Sequence, residues 1–120
     1  MIKTMPQYAA EAKEGLQCLT IEGARELLGH CDNPLLIDVR ETSEHTDAAV
    51  GGFINIPRGV LEMRIGDLCQ DPQRCIILHC GTGGRAALAA QSLEKMGYKN
   101  VHLINASFAE IKAALCSGSN

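Results

Sequence analysis

A short apolar run followed directly by glycines and a helix-forming segment constrains this chain more than any other feature. The run is CIILHC (75–80), and GGRAALAAQSLEKMG (83–97) is rich in Ala and Leu, with Lys95 in its last turn and Gly97 placed to end it. An apolar run of this length is typical of a strand buried on both faces. The segment therefore predicts a central strand that turns tightly into the longest helix.

Other apolar runs alternate with helical patterns along the chain. LLIDV (35–39), FINIP (53–57) and VHLIN (101–105) are predicted strands, and residues 6–14, 21–30, 60–68 and 108–115 are predicted helices, with a helical turn in RETSEHTDA (40–48). Pro6 and Thr20 favour the starts of the first two helices. The alternation predicts an α/β fold with a central parallel sheet and helices on both faces. We expect one domain over residues 1–120, with an N-terminal helical extension at 1–15.

Composition and charge narrow the classes of partner. The net charge is -3, and the chain has two Tyr, two Phe and no Trp, which argues against a nucleic-acid surface. No apolar run approaches the roughly 20 residues needed to span a bilayer, and the N-terminus lacks the pattern of a secretory signal. We expect no membrane partner, a cytoplasmic location and six reduced cysteines.

The junction between the central strand and the longest helix carries the candidate chemistry. It consists of Cys80, Gly81, Thr82, Gly83, Gly84 and Arg85. Ligands of open α/β sheets bind beyond the carboxyl ends of the strands. Three glycines in four positions let backbone N–H groups turn inward, and such a nest at a helix N-terminus stabilises a sulfur anion, with Arg85 adding positive charge at the rim. The alternatives are a buried core cysteine, a plain tight connection and a phosphate site for a cofactor.

Three blocks of the chain occur in the order of a known family. They are Leu36 to Arg40 with Glu44, Gly52 to Pro57, and Cys80 to Arg85. Over roughly residues 16–115 the sequence resembles the rhodanese-like sulfurtransferases. Tyrosine phosphatases also place an Arg after a Cys loop, but with five intervening residues, whereas four separate Cys80 from Arg85. In the rhodanese family, six-residue loops accompany sulfur transfer.

The resemblance implies nucleophilic catalysis through a Cys80 persulfide, stabilised by backbone N–H groups of residues 81–85. The donor would be thiosulfate or a persulfide, and the acceptor a thiol, cyanide or a sulfur-accepting protein. No metal and no cofactor are implied. Alternatives are a low-turnover module that relays sulfur or docks to a partner, and, less favoured, a phosphatase or arsenate reductase.

The sequence indicates the roles of several residues around the loop less directly than that of Cys80. By resemblance Asp38 and Arg40 support the loop, and the alternative is an ordinary ion-pair network with Glu44. Arg58 either lines the entrance or is simply solvated. Neighbouring strand residues face opposite sides of a sheet, so His79 is expected to be a core histidine with satisfied hydrogen bonds rather than a base for Cys80.

Gly81 and Ala86 depart from the family pattern. Many members place a basic or polar residue at the first position and a hydroxyl at the second. Efficient use of thiosulfate is therefore not implied.

Overall fold

A five-stranded sheet forms the centre of the computed structural model, which describes residues 1–115. The strands are β1 (Gln17–Leu19), β2 (Leu35–Asp38), β3 (Ile54–Asn55), β4 (Ile76–His79) and β5 (Val101–Ile104). They lie in the order β1-β5-β4-β2-β3, and every pairing is parallel. The expected parallel sheet is confirmed, and the CIILHC run supplies its middle strand.

Six α-helices connect and cover the strands within residues 1–115. They are α1 (Met5–Lys13), α2 (Ile21–His30), α3 (Thr42–Asp47), α4 (Leu61–Leu68), α5 (Gly84–Met96) and α6 (Phe108–Leu115). Thr20 caps α2 by accepting a hydrogen bond from the Gly23 amide, and Gly97 ends α5 with a φ of 113°, as the sequence predicts. None of the helices in the described part of the chain is long and apolar enough to cross a membrane.

Two apolar cores lie on the two faces of the sheet. One is built on α1, α4 and α5, and the other on α2 and α6. Alternation along β4 sends Ile76, Leu78 and Cys80 into the first core and Ile77 into the second. Helices on both faces are therefore confirmed, and Cys80 faces the side on which α1 and α5 pack.

The carboxyl ends of the three inner strands meet at one edge. β4 lies between β2 and β5, so the chain leaves these strands at Val39, Cys80 and Asn105 side by side. In parallel sheets this edge is where ligands bind. The residues that follow these strands build the candidate site.

Candidate active site

The sulfur of Cys80 accepts hydrogen bonds from two backbone amides. The nitrogen of Gly83 lies 3.0 Å from Sγ, and that of Ala86 lies 3.3 Å from it. Both belong to the first turn of α5 or its cap, so the N-terminal end of this 13-residue helix points at the sulfur. A negative charge on Sγ, or on a sulfur atom attached to it, is stabilised by such donors.

The donors differ from the range that the resemblance implies. Gly83 lies within residues 81–85, but Ala86 lies one position beyond it. Among the hydrogen bonds of residues 1–115, these are the two amides that reach Sγ. The helix geometry explains the shift, because Ala86 is a first-turn residue whose N–H has no partner within α5.

Gly83 holds a backbone conformation that other residues rarely adopt. Its φ is 95°, and a Cβ built there would lie 3.2 Å from both Asn105 Oδ1 and Lys13 Nζ. Glycine therefore meets two requirements here, the left-handed turn into α5 and the close approach of two side chains. The turn aims the Gly83 amide at Cys80.

The other loop residues anchor or line the turn. The carbonyl of Gly81 accepts a hydrogen bond from the amide of Phe108 at 3.0 Å, which fixes the loop to the start of α6. Thr82 is exposed, and Gly84 is half-buried beside Met5 of α1. The side chain of Cys80 itself is 1% exposed, so a reactant must reach the sulfur within the loop.

Arg85 is held by a carboxylate. Its Nη1 donates to Glu44 Oε1 at 2.6 Å and its Nη2 donates to Oε2 at 3.1 Å. The hydrogen bonds from Arg85 lower the pKa of Glu44 to about 2. The guanidinium therefore braces the loop against α3, and the positive charge expected at the rim is largely offset.

Asp38 and Arg40 form a buried network beside the loop. Arg40 Nη2 lies 2.9 Å from Asp38 Oδ2, and His45 Nδ1 lies 2.8 Å from the same oxygen. Burial alone would raise the pKa of Asp38, but the hydrogen bonds from Arg40 and His45 outweigh it and lower this pKa. The third member of the network is His45, whereas Glu44, which the ion-pair alternative had included, pairs with Arg85.

The Arg40 network reaches the loop through one aromatic ring. The guanidinium carbon of Arg40 lies 3.9 Å from the centroid of Phe108, whose amide donates to Gly81. Asp38 holds Arg40, Arg40 packs on Phe108, and Phe108 holds the loop. This chain of contacts is a physical route by which both residues support the position of Cys80.

Two further residues lie apart from the sulfur. Arg58 pairs with Glu62, with Nη1 2.9 Å from Oε2, and no hydrogen bond of the described residues joins it to residues 80–85. His79 packs edge-on against Phe53 with ring centroids 4.6 Å apart, on the opposite face from Cys80. Its Nε2 has no partner among residues 1–115, so the expected satisfied histidine is wrong at this atom, and burial lowers its pKa.

Sequence reasoning missed Lys13 and Asn105. Lys13 Nζ donates to Asn105 Oδ1 at 3.0 Å across a separation of 92 residues, and both atoms lie beside Gly83. A lysine near the end of a helix and an asparagine after a strand are ordinary in sequence. Only the packing of α1 against the start of α5 brings them to the loop.

The fold and the site together define an α/β domain that holds a cysteine sulfur at the N-terminus of the helix following its central strand. The family model described as Rhodanese-like domain matches residues 20–114, and the chain belongs to this family. The match covers β2 to β5 and the whole loop from Cys80 to Arg85 but not α1.

Curated relatives carry names related to sulfur. The chain is 27% identical over 95 residues to a protein of Bacillus subtilis named as a candidate sulfur carrier, YrkF, covering 79% of this chain and 50% of the relative. It therefore spans about half the length of that relative. It is 28% identical over 100 residues to the thiosulfate:glutathione sulfurtransferase of Saccharomyces cerevisiae, covering 73% of this chain and 72% of the relative.

Solved structures show the same fold. A protein of unknown function from Rhodopseudomonas palustris, described as a possible tyrosine phosphatase, superposes with a TM-score of 0.77 at 26% identity, over 95% of this chain and 92% of the other. The polysulfide-sulfur transferase homodimer of Wolinella succinogenes gives a TM-score of 0.69 at 26% identity, over 86% and 77% of the two chains.

Proposed function

We propose that this chain is a sulfurtransferase that carries a sulfane sulfur on Cys80 as a persulfide. The observation that supports it most is the pair of amides of Gly83 and Ala86, at 3.0 and 3.3 Å from Sγ. Donors preorganised at a helix N-terminus stabilise the negative charge that develops on sulfur during the transfer. The names of the relatives agree with this class of reaction.

The reaction divides into two displacements. In the first, the Cys80 thiolate attacks the sulfane sulfur of thiosulfate or of another persulfide. The donor's S–S bond breaks, and sulfite or a thiolate leaves with the electron pair. In the second, cyanide or a thiolate attacks the outer sulfur, the S–S bond to Cys80 breaks, and the electron pair returns to Cys80. Neither step needs an external oxidant or a metal.

Gly83 and Ala86 serve both displacements without moving. Their N–H groups point at Sγ, so the charge that arrives and departs at this sulfur meets fixed donors. Arg85, Asp38 and Arg40 act by position, because each is paired with a neighbour in the structure. The first displacement requires a reduced Cys80, which is the usual state of a cysteine in the cytoplasm, and the cytoplasm is the location that we assign.

A sulfur relay with low turnover is the second candidate, and two observations favour it. Arg85, the charged residue of the loop, is engaged by Glu44. Gly81 adds no charge, so the loop offers a small anionic donor little attraction. A partner protein that presents its own persulfide would not need that attraction.

A phosphatase activity is less consistent with the site. Four residues separate Cys80 from Arg85, and the Arg85 guanidinium points to Glu44. A tetrahedral phosphate would need room in the loop and a free guanidinium. We therefore assign the chain to sulfur transfer although one structural neighbour is described as a possible tyrosine phosphatase.

Steady-state turnover tests the proposal. With thiosulfate and cyanide as substrates, the wild-type protein should produce thiocyanate, and Cys80→Ser should produce none. Cys18→Ser is the matched control, because Cys18 is an exposed thiol whose sulfur forms no hydrogen bond with residues 80–85 among the described residues. No thiocyanate from thiosulfate, but sulfur uptake from a protein or small-molecule persulfide, would favour the relay. Equal turnover in Cys80→Ser would contradict both.

A further inference from the structure

A cleft lies between α1 and the sulfur-holding loop. Its volume is about 470 Å³, within the range of about 300–1,000 Å³ typical of small-molecule sites. The lining residues that matter here are Met5, Ala9, Lys13, Thr82, Gly84 and Arg85. The cleft therefore borders the loop that holds Cys80 on one side and a helix outside the matched family region on the other.

The start of α5 lets α1 approach closely. A Cβ at Gly84 would lie 3.3 Å from Met5 Cε and 3.8 Å from Ala9 Cβ, so the two helices touch across a glycine. Met5 and Ala9 make this side of the cleft apolar. A molecule bound in the cleft would place its apolar part against α1, next to Gly84.

Lys13 gives the cleft a positive charge that no carboxylate offsets. Its hydrogen-bond partner is the neutral amide oxygen of Asn105, and no carboxylate of residues 1–115 forms an ion pair with it. Arg85, the other cation of the lining, is paired with Glu44. The cleft thus presents an apolar wall and one available cation at the edge of the loop.

We propose that this cleft binds the sulfur acceptor, and that the acceptor is a small aliphatic thiol bearing a carboxylate. This inference rests on the proposed persulfide at Cys80. The carboxylate pairs with Lys13, and the aliphatic part packs on Met5 and Ala9. An inorganic anion such as thiosulfate gains only the charge, whereas such a thiol gains both interactions, which makes Lys13 a specificity-determining residue.

The transfer step balances without a co-reactant. The acceptor thiolate attacks the outer sulfur of the Cys80 persulfide and forms a new S–S bond. The bond between that sulfur and Cys80 Sγ breaks, and its electron pair stays on Sγ as thiolate beneath the Gly83 and Ala86 amides. The acceptor leaves as a persulfide anion.

Three thiols of similar length test the inference: 3-mercaptopropionate, 2-mercaptoethanol and cysteamine, which are anionic, neutral and cationic. The protein is first loaded with sulfur, and the rate of sulfur removal is measured for each thiol per unit of thiolate. Each rate is divided by the rate at which the same thiolate reacts with a free small-molecule persulfide, because the nucleophilicity of a thiolate rises with the pKa of its thiol. We expect 3-mercaptopropionate to exceed 2-mercaptoethanol by about two- to fivefold, as an exposed ion pair allows, and cysteamine to be slowest. Lys13→Gln should remove this order, Lys13→Glu should reverse it, and Lys13→Arg should keep it.

The control and the contrary results separate the two proposals. Lys95→Gln removes a lysine that does not line the cleft, and should leave the order among the thiols unchanged. Equal rates for the three thiols, or an order that survives in Lys13→Gln and Lys13→Glu, would overturn the role of the cleft while sulfur loading and its removal by cyanide still support the persulfide. A protein that takes up no sulfur would overturn both.

Discussion

Replacement of Gly83 by alanine should damage stability and sulfur chemistry together. The φ of Gly83 is 95°, and a left-handed conformation costs a residue with a Cβ about 1–3 kcal/mol. The added Cβ would also meet Asn105 Oδ1 and Lys13 Nζ at 3.2 Å, and both neighbours would have to shift by a few tenths of an ångström. We expect the free energy of unfolding in urea to fall by about 2–3 kcal/mol.

The same substitution should slow the formation of the persulfide. Relief of the strain turns the peptide at position 83, which moves one of the two amides away from Cys80 Sγ. A hydrogen bond to a charged group contributes about 1.5–3 kcal/mol, and each 1.4 kcal/mol is a factor of ten in rate. The expected loss is therefore about 10- to 100-fold. It is measured as the single-turnover rate of sulfur uptake from thiosulfate, under conditions where the variant is folded.

Gly97→Ala is the matched control for this prediction. Gly97 also has a positive φ, 113°, but it lies at the far end of α5, and a Cβ there would have no heavy atom within 4 Å. It should lose stability by about 1–2 kcal/mol and keep the wild-type rate of sulfur uptake. A folded Gly83→Ala protein that reacts at the wild-type rate would refute the role of the amide, as would an equal loss of rate in Gly97→Ala.

Three other predictions concern the residues around the loop. Glu44→Gln removes the charge that offsets Arg85, so KM for thiosulfate should fall about two- to fivefold. Because the pKa of Glu44 lies at about 2, below its usual 4.5, the stability that wild type has over this variant in urea unfolding should be present above pH 4.5 and vanish as pH falls towards 2. A stability difference that does not change with pH would contradict this prediction. Asp38→Asn leaves Arg40 buried without its carboxylate, so thermal or urea unfolding should show a loss of about 3–5 kcal/mol, and a loss below 1 kcal/mol would contradict the buried pair. Gly81→Lys should raise kcat/KM for thiosulfate by about fivefold, since the added Cβ meets one neighbouring atom, Arg85 Nη2 at 3.3 Å, and the new charge faces the loop. An unchanged value, with Gly81→Gln as the uncharged control, would contradict the charge argument.

The elements with strong local signals could be predicted from the sequence. The CIILHC run, the glycines after it and the Ala-rich helix identified the middle strand and the loop, because apolar runs and glycine positions act locally. β1 (Gln17–Leu19) was not predicted, since it is a three-residue edge strand with little burial and no apolar run. Its pairing with β5 comes from the tertiary fold and not from its own composition.

The parts of the site that depend on long-range packing could not be predicted. The partner of Arg85 is Glu44, 41 residues earlier, and Lys13 reaches Asn105 across 92 residues. The same limit applies to the alternative role of Arg40 in an ion-pair network, which was expected to include Glu44 and in the structure includes His45. The Glu44 carboxylate and the His45 imidazole both lie in α3, and only the rotation of that helix decides which of them faces Asp38.

For Arg58 and for the N-terminal helix α1, the place in the sequence did not indicate the contacts made in the structure. Arg58 follows Pro57 at the end of the second family block, but its side chain bends along α4 to Glu62. Its role at the entrance stays a prediction. α1 carries no family motif, yet its packing on Gly84 places it against the loop. Cys116, which from the sequence is either a surface thiol or a further sulfur acceptor, with the surface thiol favoured, lies outside the described residues.

Intact-mass measurement of sulfur on the protein tests the central claim most directly. After treatment with thiosulfate, and without reductant, the wild-type chain should gain the mass of one sulfur atom, located by peptide fragmentation at Cys80, and should lose it on addition of cyanide. Cys80→Ser should gain nothing. Stable sulfur on any other cysteine with Cys80 unmodified, or no uptake from thiosulfate and from persulfide donors alike, would contradict the account.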